Sequence, residues 1–167
     1  MNKLTRLMRH LMTTTADGKR AFPAETLKVI QETIASGETR HRAEVRLIVE
    51  PALSMQALLD SVSSRDRARE LFTLYRIWDT EENCGVLVYI NLADHKVEIV
   101  ADRAVGRVIR NEDWQAVCKT MTDGFARGEF HDSAIDGLSR LNALLAAHFP
   151  EDGAGGANQL SNLPLIL

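Results

Sequence analysis

Asp79, Glu81, Glu82 and Asn83 fall within five residues, directly before Gly85 and an unbroken apolar run over residues 86–90. Carboxylates, amides and backbone carbonyls are the ligands that hard cations such as Ca2+ and Mg2+ collect, so this loop is the first candidate site. An apolar run without alternation reads as a strand buried on both faces, and hence central in its sheet. The loop then stands at a strand end, the kind of position where open α/β sheets build sites. Residues 97–101 read as a return strand after the turn Ala93-Asp94-His95-Lys96, forming an antiparallel hairpin. That pairing brings Asp102 and Arg103, which end the return strand, beside Asp79 and Asn83. Asp79, Asn83 and Asp102 are the leading metal-ligand candidates and Glu81 and Glu82 the weaker ones. Arg103 can neutralise these carboxylates or grip an anionic group bidentately. Trp78 can wall a pocket beside them, although a core position is the commoner fate of such a residue. The competing interpretation is a solvated turn with surface ion pairs, which contribute little.

Other chemistry is thinly supported. Cys84, where the loop meets the strand, is a possible nucleophile, yet burial is the commoner state for such a thiol. His10, His41, His95, His131 and His148 show no metal-ligand spacing. Nucleotide-binding glycine loops, zinc-protease and serine-hydrolase motifs are absent, and no general base declares itself. The Glu129-Phe130-His131-Asp132 stretch reads as a capped loop with Phe130 turned inward.

Several elements must position the loop. Residues 2–13 have helical periodicity, with Leu4, Leu7, Met8 and Leu11 as the apolar face, and residues 13–20 read as a polar linker. Pro23 suits the first turn of a second helix, with Leu27, Ile30 and Ile34 inward and Gly37 at its end. Residues 44–50 alternate as a strand, with Val45, Leu47 and Val49 on one face; Ile48 breaks the pattern. Ser63 or Ser64 caps a helix carrying Ala68, Leu71 and Phe72, with Asp66 in its first turn. Two long helices follow the hairpin. Strand, helix, strand over residues 44–92 implies a right-handed crossover and a parallel pair. The predicted fold is α/β, a three-layer α/β/α sandwich around a small mixed sheet. Residues 1–20 form an N-terminal helix and linker, residues 21–150 the domain, and residues 151–167 a flexible tail whose apolar end can dock in a groove or on another chain.

The chain suits one domain with a real core. A formal net charge of −3 argues against a nucleic-acid binder. The first 20 residues depart from that balance, with Lys3, Arg6, Arg9, Lys19 and Arg20 against Asp17 alone. They make either a solvated helix face or a small basic arm able to touch an anionic surface. No run of 18 apolar residues or secretory signal is present, so a soluble cytoplasmic protein without a transmembrane segment is expected. Two cysteines outside any CxxC motif make no disulfide framework.

Three short motifs in order, Asn83-Cys84-Gly85-Val86-Leu87-Val88, Ala93-Asp94-His95-Lys96-Val97-Glu98-Ile99 and Phe125-Ala126-Arg127-Gly128-Glu129-Phe130, resemble the TPM domain family. That family is named for thylakoid-lumen, photosystem and membrane proteins and is often called a phosphatase domain. The resemblance spans residues 23–149 and implies an α/β/α sandwich. It also implies a divalent-cation site (Ca2+ or Mg2+) in some members and weak acid-phosphatase activity in a plant branch. The chain resembles the short, soluble bacterial type. Where longer members have a Gly-rich turn, it has Asp102-Arg103-Ala104-Val105-Gly106. Two functions are therefore expected to compete. One is a metal-dependent phosphatase-like domain, in which Asp79 and Asp102 hold the metal, Asn83 orients a ligand and Arg103 clamps phosphate. The other is a non-catalytic module for a protein partner or a membrane-associated complex. The oligomeric state is left open.

Overall fold

The computed structural model describes residues 3–153 and 158–167. Its sheet runs β3-β2-β1-β4. Strands β1 (Glu44–Glu50) and β2 (Gly85–Asn91) are parallel and pair from Glu44↔Gly85 to Glu50↔Asn91. Strand β3 (Lys96–Ala101) returns antiparallel to β2, with Val86 opposite Ala101. All seven residues of β2 are buried, as its lack of alternation requires.

Eight helices lie around this sheet among the described residues: α1 (Lys3–Met12), α2 (Thr15–Ala21), α3 (Ala24–Glu38), α4 (Met55–Leu59), α5 (Ser64–Leu74), α6 (Arg103–Gly106), α7 (Asn111–Phe125) and α8 (Phe130–His148). Three of them, α3, α7 and α8, cover one face, where Val45, Leu47, Val88 and Ile90 meet Ile30, Ile34, Met121 and Leu141. On the other face Ile48, Leu87 and Tyr89 pack against Ala68, Leu71 and Ile77. This second layer explains Ile48. It keeps the alternation and points at α5, so β1 is buried on two faces rather than one. The α/β/α sandwich is thus the observed architecture.

Three expectations change. Residues 15–21 are a helix rather than a linker, because Thr14 and Asp17 form a reciprocal capping box. Helix α1 lies on the domain upside down relative to its apolar stripe. It buries His10 and half-buries Arg6, while Leu4, Met8, Leu11 and Met12 face outward. The C-terminal tail is tied down in part: Leu165–Ile166 form β4, parallel to β1, with Ile48 opposite Leu165. Four side chains hold the approach to it. Glu44 accepts from the Gln159 and Leu160 amides, Arg46 donates to Ser161 O, and Asn162 donates to Glu38. Docking covers the free edge of β1, which would otherwise expose unpaired backbone groups. Residues 154–157, within the predicted flexible tail, lie outside the described residues.

Candidate functional site

The hairpin brings the two acidic segments together, as its register requires, but at the amino end of β2 and not at the carboxyl ends where open α/β sheets usually build sites. Asp102 N donates to Gly85 O at 2.8 Å, and Ala104 N donates to Asn83 O at 3.1 Å. The loop is fixed by its own backbone. Asn83 N donates to Thr80 O, Cys84 N donates to Thr80 Oγ1 at 2.9 Å, and Asn83 takes the left-handed conformation at φ 52°. Asn tolerates that region better than most residues. Gly85 is required by close approach: a Cβ there would stand 1.8 Å from Ile77 O.

The side chains do not assemble as one ligand set. Asp79 is exposed and paired with Arg76 at 2.5 Å. Glu82 is paired with Arg42 at 2.6 Å, and Arg42 also lies over the Phe149 ring. Glu81 is exposed, and its amide donates to Gln159 Oε1 at 2.8 Å, so the C-terminal segment crosses the loop. Trp78 is 46% exposed and belongs to neither core cluster. Arg103 extends into solvent, 4.0 Å from Asp102 Oδ1. Among the described residues, no three His, Cys, Asp or Glu side chains gather closely enough to hold a metal ion unaided.

Asp102 is different from the other acids. Its side chain is 9% exposed and sits at the N-cap of the short helix α6, where Oδ1 accepts from Arg103 N at 2.7 Å. Oδ2 has no hydrogen-bond partner, and it is the one buried side-chain oxygen or nitrogen in that condition among the described residues. A buried carboxylate oxygen without a donor is costly unless a cation or water completes it. This is the donor chemistry a divalent cation needs, supplied once. Ca2+ takes about six to eight oxygens, and among the described residues no cluster of three carboxylates supplies the charged part of such a set. Mg2+ makes a smaller demand, because it retains several waters and is commonly held by one or two carboxylates together with ligand phosphate. Cys84, by contrast, is buried, and burial pushes its thiol up, against service as a nucleophile.

Sequence reasoning missed the opposite end of the sheet, at the carboxyl ends of β1 and β2. Glu50 there accepts from Arg67 through Nε and Nη2 and from Tyr89 Oη at 2.6 Å. Asn91 donates to Tyr89 Oη and accepts from Asp94 N. Asp94 accepts from Arg6 Nε and Nη2 at 2.9 and 2.7 Å, from Ser64 Oγ at 3.0 Å and from His10. Because Leu53 N donates to His10 Nδ1, the ring proton on Nε2 faces Asp94. Burial on its own would raise the Asp94 carboxyl, but the hydrogen bonds and charge of Arg6, with His10, hold it down at about 2. Every carboxylate in this network has its donors, so it fastens α1 and α5 to the sheet. Its one signal in the sequence was the pair of polar residues, Glu50 and Asn91, closing two apolar strands.

The family model for the TPM domain matches residues 15–144. The chain belongs to the TPM domain family. Its fold is also that of the BA42 protein from the psychrophilic bacterium Bizionia argentinensis, solved by NMR, with a TM-score of 0.75. The two chains are 23% identical, and the likeness covers 87% of this chain and 95% of BA42. No curated protein matches the sequence. The matched segment contains β1, β2 and β3 and both acidic segments of this TPM domain, whereas α1 and the C-terminal β4 lie outside it.

Proposed function

We propose that this TPM domain binds a divalent cation, Mg2+ in preference to Ca2+, at the leading end of β2, together with a phosphate-bearing ligand. Support comes from the buried, unpartnered Oδ2 of Asp102 beside the Asn83 loop. Asp102 would supply the carboxylate, backbone and amide oxygens of residues 79–83 would face the hydrated ion, and Arg103 is free to turn its guanidinium onto an anionic group. Such a cation, when bound, neutralises phosphate charge and lowers the pKa of its water. The protein's own part is to fix the carboxylate through α6 and the loop through Thr80.

Binding without efficient turnover is the form of this function that the side chains favour. Asp79 and Glu82 are each engaged by an arginine, the Cys84 thiol is buried and Asp102 is assigned to the cation, which leaves the exposed Glu81 as the remaining acidic candidate. The testing experiment is a Mg2+ and Ca2+ titration followed by two-dimensional amide NMR, on the native chain and on Asp102→Asn. Asn preserves the N-cap acceptor, so the fold is retained while the charge is lost. Saturable shifts confined to residues 79–85 and 101–104, with at least tenfold weaker binding in Asp102→Asn, are expected on the order of the loss of one charged ligand. Absence of shifts at millimolar metal, or equal binding by the variant, overturns the proposal.

A further inference from the structure

Helix α1 turns its polar side to the protein and its apolar side to solvent. Arg6, His10 and Arg9 occupy the inward stripe, held by Asp94, by the Leu53 amide and by Ala93 O. Leu4, Met8, Leu11 and Met12 recur at i, i+4, i+7 and i+8, a single outward stripe. Met8 is 50% exposed, Leu11 56% and Met12 75%. Leu59 of α4, at 69%, extends this surface across a cleft of about 460 Å3 that is also lined by Lys3, Leu7 and Leu58. A helix that needed only to cover the domain would bury its leucines. Here ion pairs hold it in the reverse orientation.

Charge identifies what the surface fits. The first 20 residues carry five cations and one anion, a net +4 in a chain of net −3, so the rest carries −7. Helix α1 itself has no acidic residue; Lys3 stands exposed on it and Lys19 on α2, whereas Arg6 is paired with Asp94 and Arg20 with Asp17. A second copy of the chain docking through this face would bring the Lys3 cation of each copy into one contact. A helix with no acidic residue that turns its apolar stripe outward has the make-up of an element that lies in the boundary of an anionic bilayer. We infer that α1, with Leu59 of α4, is a peripheral membrane-docking surface for anionic lipid. It is separate from the cation site and needs no cation.

The test is co-sedimentation of the full chain, in chelator, with vesicles of phosphatidylglycerol mixed with phosphatidylcholine and with vesicles of phosphatidylcholine alone. Binding is expected on the anionic vesicles only, and to fall as salt rises. Met8→Ser and Leu11→Ser should weaken it on the order of tenfold each, by loss of apolar burial. Lys3→Gln and Lys19→Gln should weaken it by about fivefold each. All four positions are exposed, so unchanged circular dichroism and melting temperature will show that the variants fold. No binding to the anionic vesicles, or binding that the serine variants leave intact, overturns the inference. So does a concentration-dependent dimer, by light scattering, that the serine variants dissolve, because the face would then be a self-association surface.

Discussion

Replacing Asp94 by Ala removes the carboxylate on which Arg6, His10 and Ser64 converge. The Asp94 side chain is 4% exposed and that of Arg6 20%. Deleting one member of a buried ion pair costs about 3–5 kcal/mol. Arg6 can regain water once released, which places Asp94→Ala near the lower end, about 3 kcal/mol. The titration of the group gives a second route to the magnitude. Its carboxyl is held at about 2 against an ordinary 3.8, a difference that corresponds to about 2 kcal/mol once the partial hydration of Arg6 is allowed for. A depressed acid contributes its stability above the unfolded pKa and loses it as pH falls through the folded one. The gap between native chain and variant should therefore be full at neutral pH and close between about pH 4 and pH 2. For a chain of this size the neutral-pH loss lowers the melting temperature by roughly 6–12 °C. Urea unfolding followed by tryptophan fluorescence measures the free energy, and hydrogen exchange of the α1 amides reports whether the helix is released. A loss below about 1 kcal/mol, or a gap that does not narrow in acid, would refute the reasoning that this contact fastens α1.

Three further outcomes are expected. Gly85→Ala drives a methyl into Ile77 O, a backbone atom that cannot swing away, and should cost about 3 kcal/mol or more in urea unfolding. Glu38 is pushed up to about 7, by burial first and then by Glu44, although its bonds from Val45 N and Asn162 pull the other way. Its folded state therefore holds a proton more tightly than its unfolded state. That contribution is full below about pH 4.5 and is lost as pH rises through about 7. Melting temperatures at the two ends of this window should differ less in Glu38→Gln than in the native chain. Neither thiol should react readily when folded, since burial pushes Cys118 up to about 11 and also raises Cys84. Thiol labelling at neutral pH should be slow until denaturant is added, and rapid labelling of the native chain would contradict the packing.

Local patterns in the sequence carry much of the fold. The unbroken apolar run of β2, the alternation of β1 and the Ser63 cap with Asp66 in the first turn of α5 depend on neighbours a few residues apart. The crossover and hairpin then follow from chain connectivity. Hairpin register alone brings Asp102 to the Asn83 loop, so the place of the candidate site was legible. Which carboxylate stayed free was not. Arg42 reaches Glu82 across 40 residues, and only the packed structure shows Asp79 and Glu82 neutralised while Asp102 keeps an unpartnered oxygen.

The sequence by itself determined the TPM domain's layers, the order of its strands up to β3 and the position of its acidic loop, because periodicity and turn chemistry act at short range. Tertiary structure alone decided the rest. A helical stripe fixes which residues of α1 share a face, but the side that turns inward is chosen by Asp94, 88 residues from Arg6. The apolar end of the chain becomes β4 because β1 offers it an open edge. Glu50 and Asn91 become one network because the parallel register sets them side by side. In each case the deciding energy is a long-range contact between groups that carry no mark of each other in the linear chain.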